Sequence, residues 1–348
     1  MKRRIFLLVS GLLVLGLFSL LGMGCSSQKV ILNVYNWGDY IDETVLGEFE
    51  KETGVKINYE TFATNEDMYI KVKQGGTPYD VIVPSDYMIA RMIKEGLLEK
   101  IDIKKLKNNE ALDKRFLGLN FDPTNEYSVP YMWGTFGILY NEKKVSDPVE
   151  SWDILWNPRY TKQILMMDSV RDCLAVAFLR LGFSINSTQP DELQKAKELL
   201  LAQKPLVLAY VGDNGKDMMV AGEAALSMSW SGDAVMVREQ NPDLKYVIPK
   251  EGTNLWVDSM VIPKNAVHKE EALQLIDFMN RPEIAKRNVL FIGYATPNRK
   301  AFELLPKEVQ EDTVAYPPDE VLHRCQIFID VGPFMEEYNK AWTEIKSR

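Results

Sequence analysis

The strongest constraint on the fold is the alternation of strand-like and helix-like segments in the first part of the chain. Short apolar segments predict strands at residues 30–35, 55–61 and 79–83. Amphipathic segments between and after them predict helices at residues 43–53, 65–74 and 88–96. Because strands that alternate with helices build parallel sheets, the sequence predicts an α/β fold.

The same alternation continues through the middle and the end of the chain. Further strands are predicted at residues 127–131, 137–140, 163–167, 206–210, 225–230 and 256–262. Further helices are predicted at residues 152–156, 191–203, 216–221, 269–279, 282–289 and 331–346. About 320 residues remain once an N-terminal leader is set aside, which is more than one hydrophobic core usually serves, so we expect two lobes.

The first 24 residues have the pattern of an export signal. Basic residues at positions 2–4 precede an apolar run over residues 5–21, and small residues then lead to Cys25. This pattern resembles a bacterial lipoprotein signal, although Gly22 stands where that signal usually carries a leucine. We expect cleavage before Cys25 and acylation of this cysteine, which would tether an extracytoplasmic domain to the membrane. A membrane-anchor helix is the alternative interpretation of the apolar run.

Charge and cysteine content exclude some classes of partner. The chain has 41 basic and 49 acidic residues and a formal net charge of −8 at pH 7. Loss of the leader removes three cations and no acids, which moves this charge to −11, so nucleic acid is not expected as a partner. Besides Cys25, the chain contains only Cys173 and Cys325. Buried free thiols are the preferred interpretation of this pair, and a disulfide is the alternative.

The sequence gives little support for catalysis. Its two histidines, His268 and His323, lie beside charged residues, as exposed helical positions do. It contains no Gly-x-Ser-x-Gly, no phosphate loop and no Cys or His cluster with the spacing of metal ligands. Two carboxylates are sufficient to hydrolyse a glycoside, but 49 acids make such a pair uninformative. We predict no cofactor and no metal site, and a secreted hydrolase is the third-ranked function.

Aromatic residues lie close to aspartates near four predicted strand ends. The pairs are Trp37 with Asp39 and Tyr40, Tyr87 with Asp86, Trp230 with Asp233, and Trp256 with Asp258. An aromatic face attracts a cation, and a partly desolvated carboxylate attracts it and accepts its hydrogen bonds. Because open α/β sheets bind ligands at the carboxyl ends of strands, these pairs are candidates for a shared amine-binding pocket.

Longer motifs extend over nearly the whole chain. They are Tyr35-Asn36-Trp37 with Asp39-Tyr40, residues 49–56, residues 79–85, residues 129–134, Pro249-Lys250-Glu251-Gly252 and Gly293-Tyr294-Ala295-Thr296-Pro297-Asn298. Together they resemble the spermidine/putrescine-binding proteins, the extracytoplasmic receptors of polyamine ABC transporters. The resemblance implies the two-lobed periplasmic-binding-protein fold of type II, with a ligand held between lobes that close about a hinge. It also implies a membrane permease as partner and no enzymatic activity.

The resemblance also places specific residues around the ligand. They are Trp37, Tyr40, Ser85, Tyr87, Trp230, Trp256, Asp258 and Tyr294. The aromatic residues are expected to enclose the methylene chain, and Asp258 is expected to anchor one ammonium group. The spermidine-type pattern has two acids where this chain has Ser169 and Asp172. Asp39 and Asp233 resemble the putrescine-type members instead, so both polyamines remain open as the preferred ligand.

Several of these residues have alternative interpretations. Asp39 and Ser85 are also suited to cap helices. Asp172 is also suited to pair with Arg171 or Arg180 on its helix, and Asp86 is interpreted as structural or solvated. Gln326 and Phe328 compete for one position of the family pattern, and neither is included in the predicted site.

The expected organisation has a leader and two lobes. Residues 1–24 form the leader, residues 25–136 plus 258–322 form lobe 1, and residues 137–257 plus 323–348 form lobe 2. A lipid-anchored receptor that binds putrescine, spermidine or both and delivers them to a permease is the preferred function. The alternative keeps the fold but binds another cationic or zwitterionic solute, or presents the polyamine to a signalling partner as a sensor.

Overall fold

A computed structural model describes residues 30–347, so the predicted leader and Cys25 lie outside the described residues. The strands are β1 (Ile31–Trp37), β2 (Lys56–Phe62), β3 (Val81–Ile82), β4 (Ser128–Asn141), β5 (Ile164–Met167), β6 (Val207–Val211), β7 (Leu226–Trp230), β8 (Leu244–Val247) and β9 (Leu255–Val261). The longer helices are α1 (Glu43–Thr53), α2 (Asn65–Gln74), α3 (Asp86–Lys94), α4 (Val170–Arg180), α5 (Pro190–Gln203), α6 (Asn214–Val220), α7 (Ser231–Gln240), α8 (Lys269–Met279), α9 (Pro282–Ile292), α10 (Arg299–Leu304), α11 (Lys307–Gln310), α12 (Asp319–Leu322) and α13 (Met335–Ser347). Short 3-10 helices include Ile103–Lys105, Asn109–Ala111, Lys114–Phe116, Trp152–Trp156, Pro158–Tyr160, Lys204–Leu206 and Gly332–Phe334.

The strands of residues 30–347 are hydrogen-bonded in the order β2-β1-β3-β9-β4-β7-β5-β6, with β8 paired to β4. β1 is parallel to β2 and β3, and β5 is parallel to β6 and β7. β4 is antiparallel to β9 over its first half and antiparallel to β7 over its second half. Two groups of parallel strands, β1–β3 and β5–β7, are therefore connected through β4 and β9. The predicted α/β fold is confirmed.

Buried side chains form separate cores on the two sides of this junction. One side packs residues of β1, α1, α8 and α9, including Leu32, Phe49 and Ile276. The other side packs residues of α4, β5 and α13, including Phe178 and Tyr338. Burial of each such large side chain contributes about 1.5–3 kcal/mol to folding, so each side has its own stabilising centre.

Local signals explain why several helices lie where the sequence predicts them. α1 begins after Asp42, whose side chain accepts a hydrogen bond from the Thr44 amide at 3.0 Å, and it ends at Gly54, which has a φ of 76°. α2 begins after Thr64, whose hydroxyl accepts a hydrogen bond from the Asp67 amide at 3.1 Å. The predictions of α1, α2 and α8 are confirmed with the same bounds. Because Asp42 caps α1, the alternative role of Asp39 as a helix cap is wrong.

The two strands predicted at residues 127–131 and 137–140 are one continuous strand, β4. The sequence analysis assigns no strand to residues 132–136, which include Gly134, and a glycine inside a strand weakens it. In the structure a Cβ on Gly134 would lie 2.6 Å from the Trp256 ring, and one on Gly137 would lie 2.5 Å from the Val247 carbonyl oxygen. These glycines therefore allow neighbouring strands to pack closely and do not interrupt the strand.

Trp256 and Asp258 lie within β9 and not at a strand end, which corrects one premise of the sequence interpretation. β9 is antiparallel to β3 and β4, so its first residues pass the edge of the sheet at which β1 and β3 end. An isolated bridge between Ser85 and Asp258 marks this meeting point. The antiparallel direction of β9 is therefore what brings Asp258 to the predicted edge.

Candidate functional site

Asp258 is a buried carboxyl group that lacks a cationic partner among residues 30–347. Its exposed fraction is 5%, and its Oδ1 atom has no hydrogen-bond partner in the described part of the chain. Burial raises the pKa of Asp258 to about 7, although the neighbouring Ser85 and Tyr40 hydroxyls favour the charged form. A buried charge is costly unless it is paired, so this position is suited to a bound cation that also donates hydrogen bonds.

Aromatic rings surround this carboxyl group. The rings of Tyr40 and Tyr294 meet edge to face with centroids 5.4 Å apart, and those of Trp256 and Tyr294 do so at 5.2 Å. The Tyr40 hydroxyl and the Trp256 Nε1 atom are buried without a hydrogen-bond partner among the described residues. The structure thus brings three predicted aromatic residues together with unused polar atoms beside Asp258.

Trp37 and Trp230 flank the same aromatic cluster. Both are partly buried and pack against the core that contains Tyr40, Trp256 and Tyr294. The Trp37 ring also packs against Phe62 with centroids 4.4 Å apart, and its buried Nε1 atom has no partner in the described chain. These rings extend the apolar surface beyond Asp258, and such surface suits the methylene groups of an aliphatic amine.

Asn65 holds Ser85 and Tyr87 in position, a role that the sequence analysis missed. Its Nδ2 atom donates to Ser85 Oγ and to the Tyr87 hydroxyl, both at 3.1 Å, and its Oδ1 atom accepts from the Ser85 amide at 3.1 Å. Ser85 occupies the N-cap position of α3, as its alternative interpretation predicts, but its side chain makes no cap hydrogen bond. An asparagine at a helix start normally indicates a cap, and nothing in the sequence links Asn65 to residues 20 positions away.

Asp86 is a structural residue. It is fully buried, and it accepts hydrogen bonds from the Tyr87 amide at 2.7 Å and the Val257 amide at 3.2 Å. Burial raises its pKa to about 8. Of its two alternative interpretations, the structural one is confirmed and the solvated one is wrong, because Asp86 ties the start of α3 to β9.

Asp172 lies at the start of α4 and forms no ion pair within the described residues. Its exposed fraction is 8%, and burial raises its pKa to about 6, with the Ser169 hydroxyl and Arg171 opposing this shift. The alternative pairings are wrong. Arg180 instead bonds Asp153 at 2.5 Å, and Arg171 donates to the Ile329 carbonyl and Asn186 Oδ1. Asp172 therefore remains free to accept a ligand group.

Phe328 packs against Arg171, and Gln326 bonds the segment that follows α4. The Arg171 guanidinium lies 4.3 Å from the centroid of the Phe328 ring and 5.3 Å from that of Tyr87. Gln326 Oε1 accepts from Ser184 Oγ at 3.0 Å and from the Ile185 amide at 3.3 Å. The contact of Arg171 with Tyr87 joins α4 to α3. Asp172 is also near enough to Tyr87 to raise the pKa of this tyrosine, after burial as the main cause.

Asp39 and Asp233 differ strongly in exposure but contact the same lysine. The Asp39 side chain is 82% exposed and follows β1 with a φ of 49°, whereas that of Asp233 is 15% exposed at the start of α7. Lys216 Nζ lies 3.4 Å from Asp39 Oδ2 and 3.8 Å from Asp233 Oδ1. Burial raises the pKa of Asp233 to about 6, and Lys216 opposes this shift. The sequence analysis missed Lys216, which it placed only within a helical turn.

Tyr294 contacts the beginning of α7 across the cleft. A Cβ on Gly232 would lie 2.4 Å from the Tyr294 ring, and Gly293 takes a φ of 79° directly before the tyrosine. Asp233 also lies close enough to Tyr294 to shift its pKa upward, after burial as the main cause. Tyr294 thus lies near both Asp258 and Asp233 and connects the residues around these two carboxyl groups.

Two cavities lie in different parts of the molecule. A groove of 460 Å³ is lined by residues of α1, α8 and the segment 100–107, and none of the predicted site residues lines it. A cavity of 20 Å³ lies beside Lys216, Trp230 and Asp233. The chemistry of unpaired buried groups, and not the size of a cavity, therefore locates the candidate site.

Both cysteines of the described chain are free thiols. Cys173 is buried, and Cys325 is partly buried. The Cys173 thiol donates to the Met167 carbonyl at 3.0 Å. The preferred interpretation of this pair as free thiols is confirmed. In residues 30–347 no helix combines the length and the apolar character needed to cross a bilayer.

Comparison with known proteins defines the class of this chain. Residues 44–316 match the model of the bacterial extracellular solute-binding protein family. The spermidine/putrescine-binding periplasmic protein of Salmonella typhimurium is 40% identical over 345 residues, which cover 98% of this chain and 97% of that protein. The chain belongs to the bacterial extracellular solute-binding protein family.

Two further relatives narrow the comparison. The putrescine-binding periplasmic protein SpuD of Pseudomonas aeruginosa is 33% identical, with coverage of 94% of this chain and 95% of the relative. The solved structure of the spermidine/putrescine ABC transporter substrate-binding protein PotD from Streptococcus pneumoniae is 41% identical and superposes with a TM-score of 0.80. That comparison covers 92% of this chain and 99% of the solved chain. The predicted family and the two-lobed periplasmic-binding fold are confirmed.

Proposed function

We propose that this protein is an extracytoplasmic receptor that binds a polyamine between its lobes and delivers it to the permease of an ABC transporter. The observation that carries the proposal is the buried Asp258 carboxyl, which is enclosed by Tyr40, Trp256 and Tyr294 without a cationic partner among residues 30–347. Relatives that are named for binding spermidine and putrescine support this choice of ligand.

In this proposal Asp258 anchors one ammonium group of the polyamine. Trp37, Tyr40, Trp230, Trp256 and Tyr294 enclose the chain, each cation–π contact contributing about 0.5–2 kcal/mol. Their packing against a single core supports a shared role.

A second set of polar groups receives the remaining ammonium groups. Asp172 is buried and lacks an ion pair in the described chain, and Ser85 and Tyr87 are fixed by Asn65. Asp233, with the exposed Asp39, forms the other acidic end, where Lys216 already supplies a positive charge.

We further propose that residues 25–136 plus 258–322 form lobe 1 and residues 137–257 plus 323–348 form lobe 2. The separate buried cores on either side of the β4 junction support this division. Some side chains pack in the core of the other lobe. Trp256 belongs to lobe 2 by its position but packs in the core of lobe 1, and Val314 belongs to lobe 1 but packs among residues of lobe 2.

A lipid on Cys25 would hold the receptor at the membrane that contains its permease. Its support is the sequence of residues 1–25, with basic, apolar and small residues in the order of a lipoprotein signal. Membership of a solute-binding family supports a role in transport without enzymatic activity.

Isothermal titration calorimetry tests the ligand class. The mature protein is titrated with putrescine, spermidine, arginine and a neutral sugar. Saturable binding of a polyamine supports the proposal, whereas binding of arginine or the sugar alone contradicts it and favours the same fold with another solute. Asp191→Asn provides a matched control, because Asp191 is an exposed acid on α5 that pairs with Lys195. Its affinity for a polyamine should equal that of the wild type.

A further inference from the structure

Lys216 places a positive charge of the protein itself inside the predicted polyamine site. Its side chain is 24% exposed, and its Nζ atom lies between Asp39, 3.4 Å away, and Asp233, 3.8 Å away. A third acid, Asp213, approaches the same loop, since a Cβ on Gly38 would lie 3.6 Å from Asp213 Oδ2. One lysine therefore lies among three carboxylates.

The electrostatics of this cluster favour a charged lysine. Burial lowers the pKa of Lys216, but the charges of Asp233, Asp213 and Asp39 outweigh that effect, and the pKa of Lys216 is raised. The same ammonium group lowers the pKa of Asp233 against the effect of burial. Lys216 thus partly neutralises the three carboxylates that surround it.

We propose that Lys216 determines how many ammonium groups the preferred ligand carries. Its own ammonium group occupies the place that a ligand ammonium would otherwise take between Asp39 and Asp233. This inference rests on the proposed polyamine receptor. Asp258 has no such internal cation within the described residues. The ligand's cations are therefore held at Asp258 and on the side of Asp172, and a third cation finds the Asp233 end already compensated.

A contrast within the chain supports this division of roles. Asp258 and Asp233 both lie near Tyr294, and both carboxyl groups raise the pKa of this tyrosine after burial as its main cause. Asp258 is buried and Asp233 is mostly buried, and both have a raised pKa, yet of the two only Asp233 has a lysine within 4 Å. The site is thus asymmetric, with one open anionic end and one end that carries its own cation.

The test measures the affinity of the mature protein for n-butylamine, putrescine and spermidine, which carry one, two and three cations. In Lys216→Met the uncompensated Asp233 becomes available, so spermidine affinity should rise roughly two- to fivefold, as for a partly exposed charge pair. Putrescine affinity should rise less, and n-butylamine affinity should not change. Lys216→Arg keeps the charge and should retain the wild-type ratios.

A double-mutant cycle assigns the effect to Asp233. In the Asp233→Asn background, Lys216→Met should no longer raise the affinity for spermidine, because the carboxylate on which the lysine acts is absent. Lys197→Met is the matched control, because Lys197 pairs with Glu344 between α5 and α13, away from the cleft. It should leave all three affinities unchanged. Lys216→Gln provides a second neutral variant if Lys216→Met does not fold.

Two results would overturn the inference. The first is an equal change for all three amines in Lys216→Met, which would indicate a purely structural lysine. The second is unchanged or weaker binding of spermidine. A wild-type protein that binds no polyamine would instead overturn the proposed receptor together with this inference, so the wild-type titration separates the two failures.

Discussion

Ser85 and Asp258 face each other across an isolated antiparallel bridge, where the turn before α3 meets β9. Asp86 strengthens this contact because its carboxyl accepts the Val257 amide at 3.2 Å. The Ser85 amide is held in turn by Asn65. The backbone around Asp258 is therefore held by contacts from two elements, which supports its proposed role as the anchor of a ligand ammonium group.

Asp258→Asn should weaken polyamine binding by about 2–5 kcal/mol, because the ligand ammonium would be buried without an anionic partner. The loss is measured by isothermal titration calorimetry with putrescine and spermidine. The ligand-free variant should be at least as stable as the wild type at pH 8, because a buried unpaired charge is removed. Wild-type affinity in Asp258→Asn would exclude this residue as the anchor.

Polyamine affinity should decrease as the pH falls through about 7. The pKa of Asp258 is about 7 in the ligand-free protein. A bound ammonium favours the charged carboxylate and lowers that pKa, so binding releases a proton below pH 7. Well below that pH, Kd should rise about tenfold per pH unit for one linked proton.

Titrations at pH 5.5, 7 and 8.5 in two buffers of different ionisation enthalpy check this linkage. Asp258→Asn should flatten the dependence near pH 7. The remaining change should centre near pH 6, where Asp172 and Asp233 titrate. A wild-type affinity that is constant across this range would contradict the assignment of a neutralised Asp258 in the free protein.

Sequence reasoning located the fold because periodicity and caps act over a few residues. The bounds of α1 follow from Asp42 and Gly54, and those of α2 follow from Thr64 and its own C-terminal glycine. The one broken strand shows the limit of local signals. Gly134 lies within β4 because the Trp256 ring packs where its Cβ would be, and this contact joins residues 122 positions apart in the sequence.

The residues of the candidate site could be predicted in part from the sequence, because some of them lie close together in the chain. Aromatic and acidic residues that are neighbours in sequence, such as Trp256 and Asp258, can be predicted as site residues from their spacing. Asn65 and Lys216 cannot, because their partners are distant in the chain. Lys216 and Asp39 are 177 residues apart in the sequence and meet only in the folded chain. The proposed role of the Lys216 charge in ligand discrimination therefore could not be predicted from the sequence.

Asn65→Ala should lower polyamine affinity by about 1–3 kcal/mol, because Ser85 and Tyr87 lose the side chain that fixes them. Asn65 does not need to touch the ligand for this effect. Rescue by Asn65→Asp should be incomplete, since a carboxylate accepts the Ser85 amide but cannot donate to Ser85 Oγ and the Tyr87 hydroxyl. Affinity is measured by calorimetry, and folding by thermal unfolding of the ligand-free protein.

Asn58→Ala is the matched control for Asn65, because Asn58 is exposed and its side chain donates to the Asn33 side chain at 2.9 Å. Its polyamine affinity should equal that of the wild type. If Asn65→Ala also binds normally while it remains folded, the positions of Ser85 and Tyr87 do not depend on this asparagine.

Gly232→Ala should prevent closure of the cleft. The added Cβ would lie 2.4 Å from the Tyr294 ring, close to the point where the ring joins its side chain, so a small rotation does not relieve the contact. The lobes must then separate or Tyr294 must leave the site. Affinity for polyamine should fall by about 1–3 kcal/mol, the range for overpacking a well-packed contact. Wild-type protein should change its tryptophan emission on binding, and Gly232→Ala should change it less.

Gly47→Ala separates this effect from the general cost of a new methyl group. Gly47 is exposed in the middle of α1, and a Cβ there meets nothing within 4 Å. Because alanine favours helices by about 1 kcal/mol over glycine, Gly47→Ala should be slightly more stable and bind polyamine normally. Small-angle scattering should show a smaller radius for the liganded wild type and Gly47→Ala but not for Gly232→Ala. An equal contraction of all three proteins would show that Gly232 does not control closure.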